Sequence, residues 1–360
     1  MYQIADNVFF QLIRYAIGET VEMPQLSDEV WERMYETAKK QSLVGIAFQT
    51  VTRLPADLQP PRKLKLRWFM QVEKIAKRSE VVNDVAVKVA KQFSKIGAPN
   101  CILKGPGNAL MYPRPELRTA GDIDIWLMVK PDKVIRMVKK MRPKSKACYH
   151  HIDFPPVGGI PVELHYRPQF MNNLVYNHRF QKWCSANAGR QSSNLVDLPG
   201  NVGQISVPTN DFNRIFQMAH ISKHITQEGI GLRQLLDYYY LLQQDFTEEE
   251  RKEDVRLLKH FGLYKVATAV MYVLQEVFGL KQERMIVPVD ERRGKFLLEE
   301  IMLAGNFGHF DERVSHDSGQ LGRNIARLKR DVRLLRYFPS ECLWEPVFRI
   351  YHFFWRVAHN

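Results

Sequence analysis

Gly121-Asp122-Ile123-Asp124-Ile125-Trp126-Leu127-Met128-Val129 alternates as a strand does, and its reading decides the fold. Period two places Asp122, Asp124 and Trp126 on one face and Ile123, Ile125 and Leu127 on the other. Two neighbouring carboxylates repel each other, and burying them unpaired is costly. A divalent cation removes that cost, and magnesium favours a few carboxylates with substrate phosphates completing its shell. Taken alone, the same Asp-x-Asp also suits an edge strand showing its acids to solvent.

The flanking segments bear on that choice. Upstream, Cys101-Ile102-Leu103 is a short apolar run, followed by the turn Lys104-Gly105-Pro106-Gly107 and a short helix through Met111. A loop carrying Arg118 then leads into the Asp122 strand. Downstream, residues 130–141 read as a helix, and residues 149–157 and 160–167 read as two strands joined at Gly158-Gly159, a hairpin signal. Alternation in the second of these puts Glu163, His165 and Arg167 on one face. If that strand lies beside the Asp122 strand, three carboxylates converge, a set able to hold two metals ~3.5–4 Å apart. Residues 204–207 end the α/β section.

Helical patterns surround this core. Residues 28–50 have helix-like apolar spacing (Val30, Met34, Ala38, Leu43, Ile46, Phe48). A Pro-bearing break follows, and a long helix is expected over 62–96 with Phe69, Val72, Ile75, Ala76, Val81, Val85, Val89 and Phe93 inward. Asp211 is the expected N-cap of a helix over 212–227. Further helices are expected at 232–243, 255–261, 265–278 and 294–303. The last element is basic and amphipathic: Leu321, Ile325, Leu328, Val332 and Leu335 should pack on the body, leaving Arg323, Arg327, Arg330 and Arg333 outward. The expected organisation is a helical region over 1–95, an α/β core over 96–208 and a helical domain over 209–360.

Lysine and arginine number 52 against 39 acidic residues, a formal charge of +13. That field attracts polyanions without choosing among nucleotides, nucleic acid and anionic membranes. No apolar run approaches the ~18–20 residues that span a bilayer. The first residues do not read as a signal peptide, and the four scattered cysteines suggest neither a disulfide framework nor a zinc site. A cytoplasmic protein is expected.

Ile102-Leu103-Lys104-Gly105, Tyr112-Pro113, Arg118, Gly121-Asp122-Ile123-Asp124-Ile125-Trp126-Leu127 and Val162-Glu163-Leu164-His165-Tyr166 together resemble the bacterial uncharacterised nucleotidyltransferase family, a branch of the polymerase-β-like nucleotidyltransferases. Met218-Ala219-His220, His224, residues 231–237 and Gly305-Asn306-Phe307-Gly308 resemble the helical half of such proteins. The resemblance implies an α+β fold with a mixed sheet in a polymerase-β-like core. It also implies Mg2+ or Mn2+ held by Asp122, Asp124 and Glu163 as catalytic and metal-binding residues, and an NTP, with ATP expected. Lys104, Gly105, Gly107, Arg118 and His165 are the nucleotide-binding candidates. Pro106 departs from the Gly-Ser or Gly-Gly pair usual in the superfamily, although proline is allowed in a first helical turn. Arg118 is expected to contact a phosphate or an acid, with Asp122 as an alternative partner. Lys104 is expected to grip phosphate or to be solvated, and His165 to touch substrate, to orient a carboxylate or to be a half-buried structural histidine. His220 and His224, four apart on a helix, are expected to flank the nucleotide or pack on the α/β unit, and Arg233 and Asp237 to pair on a helix surface.

The expected activity is transfer of a nucleoside monophosphate to an acceptor that the residues leave open as small molecule, protein or RNA. The oligomeric state is likewise open. Two alternatives stand beside it. One is a glycosyltransferase of GT-A type using the same Asp-x-Asp, which the helical first 95 residues and the Lys104-Gly105 turn disfavour. The other is an inactive scaffold binding nucleic acid or protein through its basic surface, which the three retained carboxylates disfavour.

Overall fold

The computed structural model describes residues 4–311, 313 and 320–360, leaving the side chains of 4–6, 320, 321, 323, 324 and 326 outside that description. The chain opens with α1 (Ile4–Ala16), α2 (Asp28–Lys40), α3 (Val44–Arg53) and α4 (Arg62–Lys95). The segment over 28–50, expected as one helical run, is thus two helices, broken where Ser42 takes a φ of +56°. The break leaves Gln41 free to satisfy distant backbone: its Nε2 donates to Ile301 O (3.0 Å) and its Oε1 accepts from Leu232 N (3.0 Å). In α4 the buried stripe runs Leu64, Trp68, Val72, Ile75, Ser79, Val82, Ala86, Val89, Phe93. Phe69 and Val81, expected inward, are exposed. The stripe keeps helical period by admitting Ser79, which apolar counting passes over.

The α/β section contains β1 (Asn100–Ile102), α5 (Pro106–Ala109), β2 (Ile123–Leu127), α6 (Pro131–Met141), β3 (His151–Val157) and β4 (Ile160–His165). Its sheet has the order β1-β2-β4-β3 and is mixed: β1 and β3 pair antiparallel with their neighbours, while β2 and β4 are parallel. The fold is α+β. Next come α7 (Leu174–Ser193) and the hairpin of β5 (Leu195–Leu198) and β6 (Gly203–Ser206), of which only the last strand is legible in the sequence. Then follow α8 (Asn210–Gln227), α9 (Leu232–Gln243), α10 (Glu248–His260), α11 (Tyr264–Phe278), α12 (Glu291–Ala304), α13 (Gln320–Leu335) and α14 (Pro339–His359). Thr209, not Asp211, is the N-cap of α8; Asp211 lies in its first turn and pairs with Arg190.

Two apolar cores flank the sheet. Ile123, Ile125, Leu127, Val162 and Leu164 pack with the second half of α4 and with Val134, Ile135 and Val138 of α6. Trp126, from the opposite face, joins a larger core built from both ends of the chain, including Phe9, Trp31, Trp68, Phe212, Leu235 and Val270. The carboxylate face of the sheet therefore looks toward the helical half.

The C-terminal helices differ from expectation. Ile325, Leu328 and Val332 are 45%, 52% and 72% exposed, whereas Leu334 and Phe338 are buried at 1% and 3%. Leu335 of the expected stripe does pack, half-buried, on the larger core, but the rest of the contacting face is rotated from that stripe and carries Asp331 beside Leu334. Arg333 reaches Glu300 Oε2 (2.9 Å) and Arg330 is partly buried, so neither simply faces outward; the side chains of Leu321 and Arg323 lie outside the described residues. Among the described residues no helix is long and apolar enough to cross a membrane.

Candidate active site

Parallel pairing of β2 with β4 sets Asp124 opposite Glu163, and the residue before β2 adds Asp122 on the same face. The three carboxylates bring oxygens within 4.8 Å of one another. Asp124 is buried, Glu163 partly so, and Asp122 is exposed. The turn after β1 is tied to this strand by Leu103 N donating to Asp124 O (2.9 Å). Gly105 then takes φ +59°, ψ −112°, a conformation open to glycine and costly for other residues. Pro106 occupies the first position of α5, where its missing N–H costs nothing. Lys104, just before the turn, places Nζ 3.0 Å from Asp124 Oδ2.

His165 completes the cluster. Its Nε2 lies 2.9 Å from Asp124 Oδ1 and 3.2 Å from Glu163 Oε2. Burial disfavours its charge, but these two hydrogen bonds outweigh burial and raise it to about 9. Asp124 is driven far the other way: burial opposes ionisation, and Lys104 and His165 overcome it. The charge of Asp124, followed by burial, pushes the Asp122 carboxyl up. For Glu163, burial is outweighed by the His165 hydrogen bond, leaving it lowered. Two cationic side chains thus face three carboxylates, and the negative charge left over falls on the exposed Asp122. A hard divalent cation fits this oxygen-rich, anionic donor set.

The remaining candidates separate into those near the carboxylates and those elsewhere. Arg118 lines the same cleft, but its guanidinium is committed: Nε and Nη2 each lie 2.7 Å from an Asp237 oxygen, in a pair 5% exposed on both sides. Tyr112 Oη (2.6 Å) and Asn108 Nδ2 (3.3 Å) also donate to Asp237. The partner of Arg118 is thus an acid, as the resemblance implied, but Asp237 rather than Asp122, and Asp237 is in the core rather than on a helix surface with Arg233. Arg233 instead donates to Thr119 O (2.9 Å) and lies over the Phe307 ring at the rim of the cleft. Gly107 is tightly packed: a Cβ there would meet Val207 Cγ1 at 2.8 Å. Trp126 is a core residue, stacked near Phe212. His220 lines the cleft and meets Gln169 (3.0 Å), while His224 faces Glu228 (3.2 Å). Neither belongs to a metal-ligand triad among the described residues.

Four groups absent from the sequence reading join the site. Antiparallel pairing of β3 with β4 puts His151 beside His165 and Asp153 beside Glu163. His151, Glu163 and His165 form a second triad with ligand atoms within 4.8 Å, sharing Glu163 with the carboxylate set. His150 bridges onward, 3.0 Å from His151 Nδ1 and 3.2 Å from Lys223 Nζ. Burial and then the His165 charge hold His151 down at about 4, so it is neutral at physiological pH. The signal for His151 and Asp153 was present as period-two spacing in residues 149–157; Lys223, from α8, has no local signal.

No curated protein matches the chain. Among solved structures, an antigenic nucleotidyltransferase-like protein from Paracoccidioides brasiliensis matches with 13% identity and a TM-score of 0.30, covering 49% of this chain and 87% of that one. The family model for uncharacterised nucleotidyltransferases matches residues 27–279, from α2 through α11 and including every residue of the cluster. This chain belongs to the uncharacterised nucleotidyltransferase family.

Proposed function

We propose that the chain transfers a nucleoside monophosphate from an NTP to a hydroxyl-bearing acceptor, with Asp122, Asp124 and Glu163 as the catalytic carboxylates. The observation that carries this reading is the convergence of those three acids beside the Lys104-Gly105 turn. They would hold Mg2+ or Mn2+, which when bound neutralises phosphate charge and acidifies the attacking hydroxyl. ATP is the first nucleotide to test.

The protein's own groups have distinct tasks in this scheme. Lys104 meets the nucleotide phosphates, and the Gly105 turn lets the backbone approach them. His165 bonds to both Asp124 and Glu163 and so fixes their orientation across the two strands. Arg233 stands on the facing wall with one guanidinium nitrogen on Thr119 O and the rest near the cleft. In the transfer, the acceptor oxygen bonds to the α-phosphorus while the bond to the β-phosphate bridging oxygen breaks. Pyrophosphate departs and the hydroxyl proton passes to water. The cleft between the turn, the carboxylates and α8–α9 has a volume of about 40 Å³, room for a water or two.

Membership of this family, together with the turn, favours transfer of a nucleotide over transfer of a sugar from a sugar nucleotide. The test is incubation of the protein with each α-labelled NTP, Mg2+ or Mn2+, and host lysate. Label should appear on one acceptor and vanish with Asp122→Asn and Asp124→Asn. Label that persists in both variants, or that never leaves the NTP pool, overturns the proposal and leaves the inactive scaffold.

A further inference from the structure

On the far side of Glu163 from the Lys104-Gly105 turn lies a separate cavity of about 370 Å³, between the start of β3, α8 and the two C-terminal helices. His151 belongs to its lining and sits 3.6 Å from Glu163 Oε2, so the cavity ends at the carboxylate cluster. Its volume suits a small molecule rather than a polymer, since ligand pockets for such molecules run ~300–1,000 Å³.

The lining is charged in an unusual pattern. Lys223, Arg327 and Arg356 line it, and among the described residues no ion pair engages any of the three. Among the described residues Lys223 Nζ has one hydrogen-bond partner, His150 Nε2 (3.2 Å), lies near the Phe170 ring, and feels the Glu228 charge. A fourth cation, Arg330, has a buried Nε with no hydrogen-bond partner. The acids of the lining offset these only in part: Asp331 feels Arg330, Arg349 and Arg327, and Glu228 feels Lys223 and Arg330, but among the described residues none of them closes an ion pair with Lys223, Arg327, Arg330 or Arg356. Glu228 faces His224 and Glu345 pairs with Arg349, while both oxygens of Asp331 are buried and unpartnered, as is Glu345 Oε2. Buried polar atoms are normally satisfied, so unpaired donors and unpaired acceptors around one cavity mark places for ligand atoms of both kinds. The donors call for an anion, and the carboxylate oxygens call for hydroxyl groups.

We infer that this cavity is the acceptor site, and that the acceptor is a small phosphorylated polyol such as a sugar phosphate. Its phosphate sits among Lys223, Arg327, Arg330 and Arg356, and its hydroxyls meet Asp331 and Glu345, with one of them presented past His151 to the carboxylates. Position supports the role. Displacement at phosphorus keeps entering and leaving oxygens roughly in line, so the acceptor must approach from the side opposite the pyrophosphate. The nucleotide phosphates are assigned to Lys104 and Gly105, and this cavity lies beyond Glu163. Step by step, the polyol oxygen forms a bond to the α-phosphorus of the NTP and loses its proton to water as pyrophosphate leaves. The products are pyrophosphate and a phosphodiester joining the nucleoside monophosphate to the polyol, which keeps its own phosphate. The inference rests on the transferase reading for the word acceptor, and on the cavity alone for the ligand class.

The experiment is a calorimetric titration of the full chain, with Mg2+ and a non-hydrolysable ATP analogue present, using ribose 5-phosphate, glycerol 3-phosphate, ribose, glycerol and inorganic phosphate as probes. The expected result is that at least one phosphorylated polyol binds tenfold or more tighter than both its neutral form and free phosphate. Arg327→Gln and Arg356→Gln, both exposed side chains whose loss leaves the core untouched, should each weaken it about tenfold, the scale of one charged hydrogen bond. Lys223→Met should weaken it at least as much, and Lys223→Arg should recover part of the loss. Equal affinity for phosphate and polyol phosphate, affinities unchanged in all three charge-removing variants, or competition between the polyol phosphate and the ATP analogue would each overturn the inference. Asp122→Asn separates the two proposals. Polyol-phosphate binding that survives in wild type and variant, with no NTP turnover in wild type, sinks the transferase reading and the acceptor role while keeping the ligand class. Turnover of NTP onto another acceptor, without polyol-phosphate binding, sinks the inference alone.

Discussion

Asp124 and Glu163 face each other across the parallel β2–β4 pair, and both reach the same atom, His165 Nε2, at 2.9 and 3.2 Å. One imidazole thus locks two strands that meet only after a helix and a strand have intervened. The lock divides the three acids into unequal roles. Asp124 is buried and bonded to Lys104 and His165, whereas Asp122 is exposed and its carboxyl is held up by Asp124.

The two aspartates should therefore respond in opposite senses when changed. Asp122→Asn relieves like-charge repulsion and should leave the metal-free protein as stable as wild type or slightly more so. Asp124→Asn removes the partner of a half-buried lysine and of a buried imidazolium, and should cost about 3 kcal/mol. Both should lose metal-dependent nucleotide binding. Urea unfolding without metal, read beside binding of labelled ATP with Mn2+, checks this. Equal loss of stability in the two variants contradicts the division of roles.

Lys104 stands 3.0 Å from the carboxylate that a metal would need. Removing it should strengthen binding of Mn2+ alone, because a competing cation is gone. The same Lys104→Ala change should raise KM for the NTP more than it lowers kcat, if the lysine mainly supplies ground-state charge to the phosphates. Metal affinity is read by Mn2+ electron paramagnetic resonance and the kinetic split by initial rates. Unchanged metal affinity together with unchanged KM would mark Lys104 as a purely structural partner of Asp124.

How far the sequence reached depends on whether the signal was local. Asp122, Asp124 and Glu163 were legible because strand alternation assigns faces without knowledge of the rest of the chain. The stretch following β4 was not: α7 buries Asn177, Phe180, Cys184 and Gln191, half of them polar, so no apolar period announces it. Arg118 was read toward a phosphate or an acid, with Asp122 as one candidate, and only tertiary structure identifies the acid as Asp237, 119 positions away. Lys223 joins His150 in the same way, across 73 positions. His151 is the instructive omission, because it lay in an expected strand and needed only register to be placed opposite His165.

The Arg118–Asp237 pair makes a stability prediction of its own. With both side chains 5% exposed and Tyr112 and Asn108 donating to the same carboxylate, removal of either partner leaves a buried charge unmatched. Arg118→Gln and Asp237→Asn should each cost about 3–5 kcal/mol. The double variant should be less destabilised than the sum of the two. Additive losses in a double-mutant cycle would show that the two groups act independently.

Glu341 predicts a pH dependence away from the cluster. It accepts from Asn172 N (2.7 Å) and Asn173 N (3.4 Å), fastening α14 to the segment after β4. Burial raises its carboxyl to about 7, against the lowering effect of those two hydrogen bonds. A folded-state value above the unfolded value of 4.5 means that the protonated form favours folding. The stabilising contribution is complete below about 4.5 and is lost as pH rises through about 7. The unfolding midpoint of wild type should fall more steeply between those values than that of Glu341→Gln, which keeps one acceptor and cannot ionise. Parallel curves for the two proteins would remove Glu341 as the cause.

The last prediction concerns α13, where counting apolar residues selects the wrong face. Leu328 and Val332 are 52% and 72% exposed, while Leu334 is 1% exposed and packs in the larger core. The sequence explains how this happens: Leu334 stands in helical register with Arg327, Arg330 and Asp331 rather than with other apolar residues, so apolar counting passes over the face that joins Phe338 and Cys342 in the larger core. Leu334→Ala should cost about 2–5 kcal/mol, the range for truncating a buried leucine. Leu328→Ser and Val332→Ser should each stay within about 0.5 kcal/mol of wild type, as surface changes do. Chemical denaturation of the three variants decides between the faces. Large losses at Leu328 and Val332 with little change at Leu334 would restore the stripe read from the sequence, and would reverse which side of α13 carries Arg327 and Arg330 into the cavity.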